Sequence, residues 1–278
     1  MQSIMFTKHL EGRSIPQIAE ALKSVGVTGA DLCVRAGYPV NPDNIHTALP
    51  EAARVFQDNG LSIPLVTAPG DFFRPDIEYA DRYYAACGEA GVSNIKIGYW
   101  HWASDHTDYW SEVDVVRRHL EGFTTLSRKT GVRTVVHNHS GHSMGLNSSS
   151  AMNLVKGFDP ALIGVFSDVG HLSVCGEPID MALNIVKEYL AVIAFKDFAP
   201  IRKDVNGKHR WGIDVVRMGS GLGDWRTALK TLQKMNFTGP VDFHSEYGGE
   251  PVDTVIDLAR SDVRFINGLL AELKGESK

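Results

Sequence analysis

Short apolar segments alternate with longer amphipathic segments along the chain, and this alternation restricts the fold more than any other feature of the sequence. The short segments are continuously apolar and rich in β-branched and aromatic residues, as parallel strands buried on both faces are. Eight strands are predicted: Ser3–Phe6, Gly29–Val34, Ser62–Val66, Asn94–Tyr99, Arg133–His137, Ile163–Ser167, Val192–Lys196 and Val241–His244.

A helix pattern follows each predicted strand. The first begins at Ser14, a good capping residue, has Pro16 in its first turn and ends at Val25-Gly26. The others are predicted at Asn44–Asn59, Pro75–Ala90, Asp108–Thr130, Ser148–Gly157, Pro178–Tyr189, Asp224–Met235 and Val252–Leu273.

The strict alternation of eight strands with eight helices predicts a single (β/α)8 TIM barrel that occupies residues 1–278 as one domain. No Pro/Gly/Ser-rich linker divides the chain. A doubly wound open sheet would alternate in the same way. It ranks lower because eight units close naturally into a barrel and because no G-x-G-x-x-G follows the first strand.

Charge and cysteine usage limit the partners and the compartment. The formal net charge is −5, with 22% charged residues and no basic stripe, so nucleic acid is an unfavourable partner. The three cysteines are widely spaced and lack a C-x-x-C pair, which favours a reduced protein. No signal peptide and no apolar segment long enough for a bilayer is predicted. We therefore expect a cytoplasmic protein without membrane or nucleic-acid partners, with a homo-oligomer left open.

Polar side chains gather immediately after the predicted strands, at the face where barrel enzymes carry their active sites. They are Lys8 and His9, Arg35, Trp100 and His101, His137 and His139, Asp168 and His171, Lys196 and Asp197, and His244 and Glu246. Because strand ends converge at one face of a barrel, these residues predict a common site.

The mixture of imidazoles and carboxylates predicts a divalent-metal site that suits Mn, Co, Zn, Ni or Fe rather than Ca. His137 and His139 point to the same side of a strand, as do His244 and Glu246. Either one member of each pair is a ligand and the other its hydrogen-bonding partner, or both face the site. Asp168 and His171 together fit metal-assisted enolisation, in which a carboxylate binds the ion and a nearby base moves a proton.

Candidate substrate contacts flank this set. Lys196 could bind a carboxylate or enolate, or it could pair with Asp197. The glycine-rich loop from Gly219 to Asp224 could accept an anion at a helix start, but Asp224 as an N-cap explains it without a ligand. The residues predicted to contact the substrate are Lys8, Trp100, His101 and Arg217.

These motifs resemble the xylose isomerase-like TIM barrels of the sugar phosphate isomerase/epimerase family. The resemblance covers the whole chain and is carried by three motifs. They are Val165-Phe-Ser-Asp168-Val-Gly-His171 (the family's D-x-x-H), Lys196-Asp197 of its H-x-K-D signature, and Gly219-Ser-Gly-Leu-Gly-Asp224-Trp225. It implies a metal-dependent sugar isomerase or epimerase that works through an enediolate.

The chain departs from the family at three of four usual metal ligands. Asp168 matches, but His137 and His244 stand where the family has glutamates, and Ala194 replaces the histidine of the seventh strand. The resemblance then leaves His137, Asp168 and His244 as the metal ligands. The expected catalytic residues are His139, His171, Lys196 and Glu246.

Three functions fit these observations. The first is an isomerase or epimerase of a small sugar or sugar derivative. The second is a lyase or hydratase that eliminates a β-substituent from an oxidised sugar, because both reactions begin with enolisation. The third is a sugar-binding barrel without catalysis, which the missing ligand of the seventh strand favours and the many histidines oppose.

Overall fold

Eight parallel strands close into a barrel in a computed structural model of the chain, which describes residues 1–103, 105 and 108–276. The barrel strands are β1 (Gln2–Phe6), β2 (Gly29–Cys33), β3 (Ser62–Thr67), β4 (Asn94–Lys96), β5 (Arg133–His137), β6 (Ile163–Asp168), β7 (Leu190–Phe195) and β10 (Pro240–Phe243). β1 pairs with both β2 and β10, which closes the cylinder. The predicted (β/α)8 architecture is confirmed.

Helices connect successive strands on the outside of the barrel. Their bounds are α1 (Ile15–Val25), α2 (Ile45–Asp58), α3 (Ala80–Glu89), α4 (Tyr109–Thr130), α5 (Ser148–Val155), α6 (Val169–Val174), α7 (Ile179–Val186), α8 (Trp225–Lys234) and α9 (Val252–Glu276). The predicted start of α1 is confirmed by a capping box between Ser14 and Gln17, and its predicted end by Gly26 at φ 91°.

Apolar residues form two packed regions. A small cluster fills the barrel interior below the site: Ile4, Leu65, Val135, Phe166, Ala191, Val192 and Ala194. A much larger cluster lies between the strands and the helices. In the described part of the chain, no helix combines the length and the apolar run needed to cross a bilayer.

A two-stranded antiparallel hairpin corrects the sequence prediction after β7. No strand was predicted between Lys196 and Asp224, but β8 (Asp197–Val205) pairs with β9 (Lys208–Val216). Asn206 and Gly207 form the turn with φ of 53° and 71°, and positive φ at both positions is typical of a tight hairpin turn. The Asn-Gly pair was the signal for this hairpin.

Two predicted element bounds were also wrong, and one short helix was not predicted. β4 ends at Lys96, because Gly98 donates its N–H to Phe72 and leaves the ladder. α3 begins at Ala80, five residues after Pro75. α6 was not predicted; it is a single short turn of helix that Asp168 caps by accepting a hydrogen bond from His171 N.

Candidate metal centre and cavity

Three buried ligand atoms converge at the carboxyl ends of β5, β6 and β10. Nε2 of His137 lies 3.6 Å from Oδ2 of Asp168, and Nδ1 of His244 lies 3.7 Å from the same oxygen. None of these three atoms has a hydrogen-bond partner in the described part of the chain. Two ligand atoms about 2.1 Å from a tetrahedral ion stand about 3.4 Å apart, so the spacing suits a shared metal ion.

The protonation states also suit a metal. Burial is the main cause that lowers the pKa of His137 and of His244, in each case to about 3, so both imidazoles are neutral near pH 7. Burial alone would raise the pKa of Asp168, but Lys196 and His171 outweigh it and hold that pKa well below its usual range. The set therefore offers two neutral nitrogens and one carboxylate.

A second interior group, made of Asp31, Asp242 and His244, could also hold an ion on distance alone. Its His244 nitrogen is already used, since Nε2 lies 2.9 Å from Oδ2 of Asp242. Burial raises the pKa of Asp31 to about 6. Burial and the neighbouring charge of Asp31 raise the pKa of Asp242. A metal ligand must be deprotonated, and a raised pKa opposes this, so the group of His137, Asp168 and His244 is the better metal site.

Lys196 lies at the centre of the charged network. Its Nζ is 2.8 Å from Oε2 of Glu246, 3.3 Å from Oδ2 of Asp168 and 3.2 Å from Nε2 of His171. Burial would lower the pKa of Lys196, but Asp168 and Glu246 outweigh it and raise it. Lys196 is therefore a buried cation paired with these two acids, and the alternative of a pair with Asp197 does not apply.

Glu246 stands beside the three ligand atoms as an ionised carboxylate. Its Oε2 lies 3.7 Å from Nδ1 of His244, and its Oε1 accepts a hydrogen bond of 2.9 Å from Lys8. Burial would raise its pKa, but Lys196, His244 and Lys8 hold the pKa well below its usual range. It can accept a proton or extend the ligand set.

His139 and His171 form a pair on the other side of the site. Their ring centroids are 3.8 Å apart. Nδ1 of His171 lies 2.8 Å from the hydroxyl of Ser140, and Nδ1 of His139 lies 2.8 Å from the carbonyl oxygen of the same residue. Burial lowers the pKa of both histidines, so each has a neutral ring suited to proton transfer.

Two cavities with shared lining residues lie over these side chains. The inner cavity has a volume of about 130 Å³ and is lined by Phe6, Lys8, Arg35, Thr67, Lys96, Tyr99, His137, His139, Lys196, His244 and Glu246. The outer cavity has a volume of about 870 Å³ and extends to the hairpin, where Trp211 and Ile213 line it. Lys8, His139, Lys196 and Glu246 line both.

Three predicted substrate contacts lie elsewhere. Trp100 donates its indole N–H to His119 and stacks on that ring at 6.4 Å between centroids. His101 is exposed and forms an isolated bridge with Ser143, and Arg217 is also exposed. Among the residues that line the two cavities, only Lys8 comes from the predicted contacts. The prediction for Trp100 was wrong because its side chain turns outward and packs on His119 of α4.

Sequence reasoning noted Arg35 after its strand, but it gave no site role to Lys96 or Asp242, and Tyr99 was not among the predicted substrate contacts. Tyr99 places its hydroxyl 3.0 Å from Nδ1 of His137. Arg35 and Lys96 line the cavity, and Asp242 holds His244 from beneath. The signal was a charged residue inside an otherwise apolar strand, as in Asn94-Ile95-Lys96 and Val241-Asp242-Phe243.

The glycine-rich loop is filled by the carboxylate of Asp197. The backbone N–H groups of Gly219, Gly221 and Gly223 and the indole N–H of Trp225 donate to its two oxygens at 2.9 to 3.1 Å. Asp224 caps α8 by accepting from Thr227 N at 3.0 Å, which confirms the turn interpretation. The loop binds an anion, and that anion is part of the chain.

Comparison with known proteins agrees with this architecture. The sequence profile of the xylose isomerase-like TIM barrel family matches residues 19–268. Within 98 residues the chain is 32% identical to SgbU of Escherichia coli (strain K12), whose name gives it provisionally as an L-ribulose-5-phosphate 3-epimerase. That alignment spans 34% of this chain and 33% of the relative.

Solved structures share the fold at low identity. The apo 3-keto-D-glucoside 4-epimerase YcjR of E. coli superposes with a TM-score of 0.75 at 14% identity, over 96% of this chain and 99% of its own. The IOLI protein, solved with a bound zinc atom, gives 0.74 at 15% identity, over 96% of this chain and 98% of its own. These matches establish the barrel fold.

Proposed function

The chain belongs to the xylose isomerase-like TIM barrel family, and from this premise we propose that it is a divalent-metal-dependent isomerase or epimerase of a small sugar or sugar derivative. One observation carries the proposal: Nε2 of His137, Oδ2 of Asp168 and Nδ1 of His244 are buried, close together and without hydrogen-bond partners. Buried polar atoms are almost always paired, so three that face one another point to a ligand.

The ligand atoms and the similar proteins both support a metal-dependent sugar isomerase or epimerase. Two neutral imidazoles and one carboxylate suit Mn, Co, Zn, Ni or Fe. The names of YcjR and SgbU are those of sugar epimerases, and the IOLI structure holds zinc. When bound, a divalent ion would polarise a sugar carbonyl or bind two neighbouring oxygens, which favours the enediolate.

The proton-transfer groups lie on two sides of the site. Glu246 follows β10, and His139 follows β5; β7 and β6 separate these strands around the barrel. A carboxylate on one side could remove the proton next to the carbonyl, and a neutral imidazole on the other could return or relay it. Lys196, 2.8 Å from Glu246 and 3.3 Å from Asp168, would stabilise the negative oxygen that develops.

The reaction is tested by deuterium exchange. Metal-loaded protein in D2O is incubated with a panel of aldoses, ketoses and sugar acids. We expect deuterium on the carbon next to a carbonyl in at least one compound, with all heavy atoms retained. Glu246→Gln and His139→Asn should lower that exchange by about 10² or more, whereas His209→Asn on the exposed hairpin should not.

Two outcomes would contradict the proposal. Release of water from an oxidised sugar would indicate the eliminating lyase instead. An absence of exchange across the panel, with binding retained, would indicate a sugar-binding barrel.

A further inference from the structure

Two cations of the inner cavity lack an acidic partner, unlike the other two. Lys8 and Lys196 both pair with Glu246. Lys96 and Arg35 form no ion pair with any carboxylate in the described ranges. Lys96 lies over the ring of Tyr99, with Nζ 3.7 Å from the centroid, and is 3% exposed.

Arg35 presents unused donors to the same cavity. Its Nε donates to the carbonyl oxygen of Ala68 at 3.2 Å, and its guanidinium carbon lies 5.9 Å from the centroid of Phe6. Its two terminal nitrogens make no hydrogen bond with the described residues. They are the pair of donors that binds a carboxylate in a two-point contact.

The two unpaired cations repel each other. Burial first, and then the charge of Arg35, lowers the pKa of Lys96 to about 7, against the opposing effects of Asp31 and Glu246. A buried charge without a partner is costly. An anion between Lys96 and Arg35 would relieve this cost.

The type of anion follows from the space and from the rest of the barrel. The inner cavity of about 130 Å³ holds roughly four waters at ~30 Å³ each, which suits a compact planar group. Barrels often hold phosphate in the loops after the seventh and eighth strands. Here Asp197 already occupies the corresponding loop donors.

We propose that the substrate is a sugar acid whose carboxylate binds between Arg35 and Lys96 in the inner cavity. This inference rests on the proposed function, since it names the substrate class of the same site. The carbon chain of the acid would then run past Lys196 and Glu246 toward the outer cavity, where both residues also lie.

The test compares compounds of matched carbon chain that carry a carboxylate, no charge or a phosphate. Calorimetry of the metal-loaded protein uses four aldonates (erythronate, ribonate, gluconate and galactonate), the corresponding alditols, and the corresponding sugar phosphates. We expect at least one aldonate to bind tenfold or more tightly than its alditol and its phosphate. Lys96→Met and Arg35→Gln should reduce that preference at least tenfold, whereas the exposed Lys23→Met should retain it.

Folding and metal content are measured on the same samples. Lys96→Met replaces a buried charge by an apolar side chain of similar length, so it should melt at or above the wild-type temperature. The inference would be overturned if no aldonate binds, if aldonate and alditol bind equally, or if the phosphate binds more tightly. It would also be overturned if both variants keep the wild-type preference for the aldonate. Metal content and deuterium exchange report the proposed function separately, because a protein without metal could still prefer acids.

Discussion

Nε2 of His244 lies 2.9 Å from Oδ2 of Asp242, so the other nitrogen of the ring, Nδ1, is the one that faces Asp168 at 3.7 Å. An acceptor oxygen beside one ring nitrogen holds the ring proton there and leaves the other nitrogen free as a metal ligand. Asp242, inside the barrel, therefore orients His244 so that Nδ1 faces the proposed metal site.

Asp242→Asn should weaken metal binding. An amide can turn its N–H2 toward Nε2 and place the proton of the ring on Nδ1, so we expect a 10- to 100-fold loss of affinity. The measurement is competition with a metal chelator.

Asp31→Asn is the matched control, because it alters the same carboxyl pair without touching His244. It should bind metal as the wild type does. If Asp31→Asn loses the metal while Asp168→Asn retains it, the ion belongs to the interior group of Asp31, Asp242 and His244.

Removing the central cation should destabilise the metal-free protein. Lys196→Met leaves Asp168 and Glu246 facing each other in a buried site, and breaking a buried pair in this way costs about 3–5 kcal/mol. Urea denaturation gives the free energy of unfolding.

Lys129→Met provides the comparison for Lys196→Met. Lys129 pairs with Asp81 at 2.9 Å, but their side chains are 67% and 74% exposed, so the loss should stay below about 1 kcal/mol. Equal effects of the two substitutions would show that Lys196 does not neutralise the site.

Much of this architecture could be predicted from the sequence, because buried parallel strands and helix caps are local signals. The convergence of His137, Asp168 and His244 could be predicted because strand ends meet at one face of a barrel, while their role as metal ligands stays a prediction. Arg35 was noted after its strand, but nothing indicated that Lys96, which lies on another strand, would line the same cavity.

The other features of the site could not be predicted, because they depend on the direction in which each side chain points. Trp100 and His101 were predicted to contact the substrate, yet Trp100 stacks on His119, and the preceding Tyr99 lines the inner cavity instead. Asp197 accepts hydrogen bonds from the N–H groups of the glycine-rich loop because the hairpin of β8 and β9 brings the two segments together. Sequence spacing alone contains neither kind of information.

Asp197→Ala should open the glycine-rich loop to an external anion. The variant leaves the N–H groups of Gly219, Gly221 and Gly223 without their acceptor, which should cost at least about 3 kcal/mol of stability. Inorganic phosphate should then raise the melting temperature of the variant more than that of the wild type or of Asp204→Ala on the exposed hairpin. An equal phosphate effect in all three proteins would contradict the assignment.

Lys96 should make stability rise with pH. Its pKa in the folded protein is lowered to about 7, well below the value near 10.4 in an unfolded chain. Between these pH values the unfolded state binds more protons, so the free energy of unfolding rises with pH by at most about 1.4 kcal/mol per unit. The wild type should therefore gain stability over Lys96→Met between about pH 7 and 10, as measured by urea denaturation at several pH values. A constant difference between the two proteins would refute this pKa.

The most direct test of the account is elemental analysis of the purified protein after saturation with Mn, Co, Ni, Zn or Fe and removal of excess ion. We predict one ion per chain for the wild type and for His46→Asn, which alters an exposed histidine of α2, and less than a tenth of that for His137→Asn and Asp168→Asn. A wild type that retains no stoichiometric metal, or a His137→Asn variant that retains as much as His46→Asn, would contradict the metal centre described above.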